Sequence, residues 1–436
     1  MPPPSLSFRP PALVHNTGST LASQAATLTA DGSVIALPIG MPKANLALST
    51  DAGASWVEQN ASGLGIDVDT KYSGKIKMPG DERWGGDHCP NPMRVGPAGQ
   101  TRLLDRGLQR TDPKTNASWS MVPGTRAAYT WEGGKMTVTP LSGAEGAASF
   151  TGLPRKAVAN EGVPSDLIRF AGGASLVLSA DGRTILQTAS FAFGDNPTSS
   201  YAQSTTAYLS TDGGNHFAYL STVAAAGDYL DSQEGPGGEM DLALLPPKDG
   251  RPPTIVCVLR VDAGDGPRSH PYKPFHWTTS TDSGKTWTRL QPMNGTGCAR
   301  PRLLLLGDTL LLSGGRMRAP VDLINKGGSQ GVSVWAADVS DRASIQSGPP
   351  KAWARHDISY WHNVLRKPSQ YVWCGCANTS VVHCQQTSAY TSLVRVGEDS
   401  AALIYPMYHN CSAHGPRHDE PPTPAVAYAM RIDLPK

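Results

Sequence analysis

The sequence predicts an all-β fold: a six-bladed β-propeller of four-stranded antiparallel blades that takes up residues 1–436 as a single domain. An eight-residue segment recurs along the chain, Gly and Pro (46 and 37 residues) mark frequent turns, and long amphipathic helical windows are absent. A chain of 436 residues would on length alone suggest two or three domains. Six blades of roughly 60–75 residues each would instead use it as one unit.

The recurring segment has the chemistry of a hairpin corner. Its Asp can accept hydrogen bonds from nearby backbone N–H groups, and the Gly two residues later can take the positive φ that a reversal needs. A hydroxyl residue closes the turn, and the final aromatic residue packs between strands. Strand–turn–strand units with one buried aromatic residue each are typical of a propeller. The copies are residues 49–56, residues 280–287 and, with His216 where a hydroxyl residue is expected, residues 210–217.

Charge and hydropathy exclude two classes of partner. The formal net charge is +2, which gives no reason to expect binding to nucleic acid or to an anionic membrane surface. No apolar stretch approaches the roughly 18 residues of a membrane span. We therefore expect neither nucleic acid as a partner nor a membrane-spanning segment.

Sequons and cysteines favour an exported protein. The first residues lack a secretion signal, but the chain has five N-glycosylation sequons, and four of its seven cysteines lie in the C-terminal quarter, as in a region with one or two local disulfides. Histidines also gather there, at spacings that match no zinc pattern, so we expect no metal and no cofactor. A secreted or secretory-pathway protein is predicted. The sequons begin at Asn60, Asn116, Asn294, Asn378 and Asn410.

The eight-residue segments resemble the Asp-boxes of sialidases and related propeller proteins, S/T-x-D-x-G-x-S/T-W. In that family the boxes lie on the outer rim, away from the central site, so they imply a fold rather than an activity. Two further stretches resemble the sialidase site. Residues 238–245, followed by 256–260, are similar to the segment with the catalytic Glu and the second Arg, which implies these roles for Glu239 and Arg260. Residues 388–393 resemble the nucleophile strand, with Tyr390 at the nucleophile position.

The resemblance also implies three arginines that bind the substrate carboxylate. Residues 8–13 are similar to the family's aromatic-Arg-Ile-Pro segment, with Arg9 as the first arginine; a second alignment puts residues 24–27 there and leaves no Arg. Pro406 stands where the family has the Glu that steadies this arginine. For the third arginine Arg316 is preferred, with Arg318, Arg300 and Arg302 as further candidates.

The general acid is the least defined member of the site. The family's acidic Asp lies in the loop that here spans residues 38–44, which contain no acidic residue. Asp87, in the polar and aromatic loop of residues 81–90, is the candidate that replaces it, with Asp81 and His88 as alternatives. Long loops on a rigid scaffold are common places for such residues.

Sialic acid explains why these residue types belong together. Its anomeric carbon bears a carboxylate that would repel a carboxylate nucleophile, whereas a neutral Tyr can approach if a Glu takes its proton. Arginines match the substrate carboxylate with charge-assisted hydrogen bonds. The resemblance implies an exo-α-sialidase-like glycosidase that acts on a terminal acidic sugar. A lyase on uronate-containing glycans and a non-catalytic glycan-binding propeller are the alternatives. A hydrogen bond between Glu239 and Tyr390, with two arginines nearby, would favour the enzyme.

Overall fold

The computed structural model describes nineteen stretches of the chain, and within them the backbone is mostly β. Two short helices are described, α1 (Arg342–Ser347) and α2 (Ile358–Val364), together with a 3₁₀ turn at Ala226–Asp228. The described residues are 4–16, 26–29, 32–39, 45–59, 91–93, 101–104, 109–111, 118–121, 126–140, 148–154, 167–168, 173–194, 202–229, 235–237, 239–261, 273–316, 331–365, 390–408 and 425–435.

The strands are numbered in chain order. Those of the first part are β1 (Ser7–Phe8), β2 (Ala12–Asn16), β3 (Thr27–Leu28), β4 (Ile35–Ile39), β5 (Asn45–Ser49), β6 (Val57–Gln59), β7 (Asn91–Met93), β8 (Thr101–Leu104), β9 (Gln109–Thr111), β10 (Ser118–Met121), β11 (Arg126–Glu132), β12 (Lys135–Pro140), β13 (Ser149–Thr151) and β14 (Leu167–Ile168). The remaining strands are β15 (Ser175–Val177), β16 (Ile185–Ala192), β17 (Gln203–Ser210), β18 (His216–Ala224), β19 (Glu239–Leu245), β20 (Thr254–Arg260), β21 (His276–Ser280), β22 (Gln291–Pro292), β23 (Ala299–Leu306), β24 (Thr309–Arg316), β25 (Gly331–Asp338), β26 (Ala354–Asp357), β27 (Ser392–Arg395), β28 (Ser400–Tyr408) and β29 (Ala425–Asp433).

In the described part of the chain these strands form six sheets. Four of them are four-stranded and antiparallel, with the orders β3-β4-β5-β6, β12-β11-β8-β7, β19-β20-β21-β22 and β23-β24-β25-β26. A fifth has the order β27-β28-β29-β1, with β2 also paired to β29. The all-β class is therefore confirmed, and none of these six sheets closes on itself as a barrel.

The sixth sheet has eight strands, in the order β14-β9-β10-β13-β18-β17-β16-β15. Strands β15 to β18 form an antiparallel meander, and β13 then pairs with β18 in parallel. The pairing stacks the ring of Phe150 on that of Phe217, with centroids 4.7 Å apart. The parallel strand β13 thus extends the meander of β15 to β18 at its β18 edge.

The two ends of the described chain meet in one sheet. The last strand, β29, pairs with β28 on one side and with β1 and β2 on the other. Ser7 lies opposite Asp433, and Ala12 lies opposite Ala429. Because both edges of β29 are hydrogen-bonded, the last strand exposes no free edge.

The apolar core is divided into clusters that fill the spaces between neighbouring sheets. Trp277 and Trp335, the largest fully buried side chains, belong to a cluster shared by the β19–β22 and β23–β26 sheets. A second cluster joins β25 to β28 and β29, and a third joins β16 and β17 to β19 and β20. Each sheet is therefore stabilised by burial against the next one.

Contacts between the first strands of successive sheets position the site. Strand β19 lies beside β23, β23 beside β27, and β27 beside β3. The chain enters β19, β23 and β27 at one common end, and antiparallel pairing brings the last residues of β20 and β24 to that same end. Residues far apart in sequence are thus gathered there: Glu239, Arg260, Arg300, Arg316 and Tyr390.

Two of the repeated segments share one hydrogen-bond pattern. The carboxylate of Asp51 accepts the backbone N–H of Ser55 at 2.8 Å and its hydroxyl at 2.5 Å, and Ser49 accepts the N–H of Gly53 at 2.8 Å. The segment at residues 280–287 repeats these contacts. Gly53 has the predicted positive φ of 89°. The contact of the first Ser with the Gly N–H was not part of the prediction and satisfies another turn donor.

The third segment reaches the same geometry with a histidine. The Nδ1 atom of His216 lies 2.5 Å from Asp212 Oδ2, where the other copies have a Ser or Thr hydroxyl. Phe217 is buried, as predicted for the aromatic position. An imidazole therefore replaces the hydroxyl without loss of the turn.

We predict that Asp212→Ala destabilises the fold in a pH-dependent way. Partial burial raises the pKa of Asp212, but hydrogen bonds from His216, Ser210 and Asn215 outweigh it and hold the pKa at about 2. A lowered folded-state pKa gives stability that is present above the unfolded value and lost as the pH falls through the folded one. The variant should lose about 1–2 kcal/mol in unfolding free energy at neutral pH. The difference from the wild type should shrink between about pH 4 and pH 2.

Denaturant unfolding across this pH range measures the difference. Glu398→Ala is the control, because Glu398 is an exposed carboxylate in the turn between β27 and β28. It should leave the unfolding free energy within about 0.5 kcal/mol of the wild type. If Asp212→Ala lost the same unfolding free energy at every pH, the hydrogen-bonded carboxylate would not be the source of that loss.

Candidate active site

Glu239 and Arg260 form an ion pair at the common end of the strands. They are the first residue of β19 and the last of β20, and the register places them directly opposite each other. Arg260 Nη1 donates to Glu239 Oε2 at 2.6 Å. Only 9% of the arginine side chain and 15% of the glutamate side chain are exposed. A pair this buried requires further hydrogen bonds to offset desolvation.

Tyr390 supplies one of those hydrogen bonds. It lies two residues before β27, and its hydroxyl donates to Glu239 Oε1 at 2.7 Å. The structure therefore brings together the predicted nucleophile and the predicted base, 151 residues apart in the chain. The arginine uses one carboxylate oxygen and the tyrosine the other, so Oε1 can accept the tyrosine proton while Oε2 keeps its hydrogen bond to Arg260.

The backbone of Arg300 completes this arrangement. Its N–H donates to Glu239 Oε2 at 2.7 Å, from a bulge where the pairing of β23 with β24 shifts register. The φ of Arg300 is 31°, in the left-handed region that residues with a side chain rarely adopt. Its side chain is buried. The contact with Glu239 is made by the main-chain N–H of this candidate for the third arginine.

Arg316 lies at the same end, as the last residue of β24. Its Nε donates to the Gly297 carbonyl at 2.8 Å, which fixes the orientation of the half-buried guanidinium. The pKa of the neighbouring Cys298 thiol is influenced by burial and by the charges of Arg316, Arg260 and Glu239. Burial raises the pKa of this thiol to about 12, and the charge of Glu239 acts in the same direction. The positive charges of Arg316 and Arg260 act in the opposite direction. Arg316, Arg260 and Glu239 therefore all lie close enough to this buried sulfur to influence its pKa.

Arg355, on β26, is a cation that no sequence motif indicated. Its Nε and Nη2 lie 3.3 and 3.2 Å from Ser333 Oγ on the paired strand β25. The residue as a whole is exposed, but its guanidinium packs against the sheet, and burial together with the charge of Arg316 lowers its pKa. The cationic character of this end of the strands thus extends from Arg260 through Arg316 to Arg355.

Arg9 is not brought into this group. Its Nε donates to Asp433 Oδ2 at 2.9 Å, and 68% of its side chain is exposed. Strands β1 and β27 are three positions apart in their sheet, so strand spacing alone separates them by about 14 Å. Strand β3 lies beside β27 instead, and the N–H of Ala26 donates to Ser392 Oγ at 3.2 Å. Of residues 24–27, where the second alignment puts this segment, the structure describes Ala26 and Thr27.

The acid candidates Asp87, Asp81 and His88 lie outside the described residues, as do Arg318 and residues 40–44. The general acid therefore stays a prediction. Within the described ranges, no three His, Cys, Asp or Glu side chains are grouped so that they could hold a metal ion. No helix in those ranges is long and apolar enough to cross a membrane.

The described site combines one carboxylate with several cations. Glu239 can accept a proton from Tyr390, while Arg260, Arg316 and Arg355 give the surrounding region a positive charge. Such a region favours an anionic ligand, because guanidinium groups bind carboxylates with charge-assisted hydrogen bonds. The described site thus has a tyrosine hydrogen-bonded to a carboxylate beside a group of arginines.

Comparison with known proteins identifies the fold. No protein-family model and no curated protein matches the chain. A protein of unknown function from Dyadobacter fermentans DSM 18053 has a similar structure, with a TM-score of 0.53 and 14% identity over 99% of this chain and 100% of that one. The phage phi92 endosialidase has a TM-score of 0.49 and 10% identity, over 99% of this chain and 70% of that one. The Hadza microbial sialidase Hz136 has a TM-score of 0.46 and 10% identity, over 97% of this chain and 65% of that one. The Dyadobacter likeness shows a shared fold alone.

We predict unequal stability losses from truncation of the two partners. Tyr390→Phe removes one hydrogen bond and should cost about 1 kcal/mol in unfolding free energy. Glu239→Ala removes the carboxylate that pairs with the buried Arg260 and should cost about 3–5 kcal/mol. Urea unfolding measures both, with Tyr219→Phe, which alters a tyrosine bonded to Thr222 on β18, as the control for a lost tyrosine hydroxyl. Equal losses in the two site variants would contradict a buried ion pair.

We also predict that Cys298 does not react in the native protein. Alkylation requires the thiolate, and burial both excludes the reagent and holds the thiol in its protonated form. Native protein treated with iodoacetamide should give an unmodified Cys298 peptide in mass spectrometry, and denatured protein a modified one. Cys257, also buried with a raised pKa, should behave in the same way. Labelling of Cys298 under native conditions would contradict its burial.

Proposed function

We propose that this protein is a glycoside hydrolase resembling exo-α-sialidases, which cleaves a terminal acidic sugar such as sialic acid. The observation that carries the proposal is the hydrogen bond from Tyr390 to Glu239, with Arg260 and Arg300 on the other carboxylate oxygen. A tyrosine paired with a glutamate base is the arrangement that a sugar with an anomeric carboxylate requires.

The fold we propose is a single six-bladed β-propeller over residues 1–436. Its support is the arrangement of separate antiparallel sheets whose first strands lie side by side and whose cores fill the spaces between them. Pairing of β29 with β1 and β2 would then join the ends of the ring. The repeated turns at residues 49–56, 210–217 and 280–287 are its Asp-boxes in this proposal.

In the proposed reaction Tyr390 attacks the anomeric carbon. Its phenolic proton passes to Glu239 Oε1 as the new oxygen–carbon bond forms, and the bond to the leaving group breaks with its electron pair on the leaving oxygen. Asp87 is the proposed donor of a proton to that oxygen. In the second step Asp87, now deprotonated, takes a proton from the water that attacks the same carbon. The bond from that carbon to the tyrosine oxygen breaks with its electron pair on the oxygen, and the proton held by Glu239 returns to it.

The proposed binding group for the substrate carboxylate consists of Arg260 and Arg316, with Arg355 as a further cation beside Arg316. Arg260 has two tasks in this proposal, since its hydrogen bond to Glu239 Oε2 also holds the proposed base in place. Arg9, the arginine given this role by the sequence resemblance, is held by Asp433 at the far edge of its sheet and is not included.

We also propose that the protein passes through the secretory pathway. Asn294, within the sequon of residues 294–296, is exposed in a turn after β22, as glycosylation requires. Mass spectrometry of protein produced in a glycosylating host would test this proposal. An unmodified Asn294 under those conditions would count against it.

The proposed function predicts turnover of α-linked 4-methylumbelliferyl conjugates of sialic acid or of its deaminated form, Kdn. Tyr390→Phe should remove this turnover, because it deletes the attacking oxygen. Glu239→Gln should lower kcat by about 10²–10⁴-fold, because the amide cannot accept the proton. Tyr219→Phe is the matched control and should keep wild-type turnover.

Two results would overturn the proposal. Wild-type turnover retained by Tyr390→Phe would exclude the nucleophile. No turnover of either substrate by the folded wild type would remove the sialidase assignment. Release of unsaturated products from a uronate polysaccharide would then support the lyase, whereas glycan binding without any turnover would support a non-catalytic propeller.

A further inference from the structure

Thr391, the residue after Tyr390, is fully buried and held at two of its atoms. Its carbonyl oxygen accepts a hydrogen bond from Arg302 Nε at 3.3 Å. Its hydroxyl lies 2.8 Å from the hydroxyl of Ser313, which is also fully buried. The backbone beside the tyrosine is thus attached to β23 through the arginine and to β24 through the serine.

Asp241 braces Arg302 from the opposite side. Its Oδ1 lies 3.9 Å from Arg302 Nη1, and its Oδ2 accepts the N–H of Leu303 at 2.7 Å. Asp241 is two residues after Glu239 on β19, so both side chains project from the same face of that strand. Arg302 therefore spans from the strand that carries the base to the segment that carries the tyrosine.

The burial of these groups indicates a precise support rather than a solvated surface pair. Only 11% of the Arg302 side chain and 15% of the Asp241 side chain are exposed. The hydrogen bond between Tyr390 and Glu239 joins two sheets, and its 2.7 Å length depends on where Thr391 lies. Misplacement of a reacting group by about 1 Å can cost on the order of 10²-fold in rate.

We propose that Arg302 and Ser313 form a clamp on Thr391 that positions the Tyr390 hydroxyl on Glu239. Arg302 and Ser313 are positioning residues in this proposal, since both act through Thr391. The structural part concerns the placement of Tyr390 alone. The effect on catalysis rests on the function proposed above.

Arg342 offers a matched control for the loss of a buried arginine. Its side chain is 2% exposed, and its Nη2 pairs with Asp308 Oδ1 at 3.2 Å. It lies on α1, where its other hydrogen bonds reach the carbonyls of Val339 and Pro246. Arg342→Met therefore removes a buried, paired arginine without altering a contact of Thr391.

The test compares steady-state kinetics of Arg302→Met, Ser313→Ala and Arg342→Met on a substrate that the wild type turns over. Arg302→Met should lower kcat by about 10- to 100-fold, and Ser313→Ala by about threefold, with KM within about twofold of the wild type in both. Arg342→Met should lose stability but keep kcat. Unchanged kcat in the folded clamp variants would overturn the proposal, as would a loss expressed in KM. If Arg302→Met fails to fold, Ser313→Ala decides alone.

Hydrogen exchange tests the clamp without reference to activity. Residues 390–395 should exchange faster in Arg302→Met and Ser313→Ala than in the wild type, and at the wild-type rate in Arg342→Met. If the wild type turns over no substrate, the proposed function fails and this measurement alone decides the clamp. Faster exchange confined to the clamp variants supports it, and unchanged exchange overturns it.

Discussion

The carboxylate of Glu239 is the group on which the rest of the site depends. It accepts hydrogen bonds from the arginine that ends β20, from the backbone that begins β23 and from the tyrosine that precedes β27. Three sheets therefore meet at one side chain. Because the ion pair is largely buried, its desolvation is tolerable only while these donors stay in place, and the register of every strand that supplies one is constrained as a result.

The backbone strain at Arg300 follows from the same constraint. Glu239 Oε2 needs a second donor in addition to Arg260, and the regular pairing of β23 with β24 is interrupted at the residue that supplies it. A positive φ at a buried arginine costs on the order of 1–3 kcal/mol, so the surrounding structure must hold it in place. The burial of that side chain provides such support, which links packing between sheets to the orientation of Glu239.

Local chemistry is what the sequence conveyed well. The turn segments could be predicted because their Asp, Gly and hydroxyl residues satisfy one another within eight residues, and the resemblance selected Glu239, Arg260 and Tyr390, which the structure brings together. The placement of Arg9 and Arg355 could not be predicted. It depends on which strand edges pair and in what register, and these long-range choices leave no pattern in the residues beside either arginine.

The site as proposed has two kinds of support with different tolerance for change. Glu239, Arg260 and Arg316 lie at strand ends, where ladder hydrogen bonds and inter-sheet packing fix the backbone. A proton donor to the leaving group has to reach the substrate from the opposite side of the scissile bond, and a loop can supply it from more than one starting point. In the proposed function a strand-borne base and an acid supplied from a loop would divide the work of catalysis, so the acid could change position in the sequence while the tyrosine and glutamate could not.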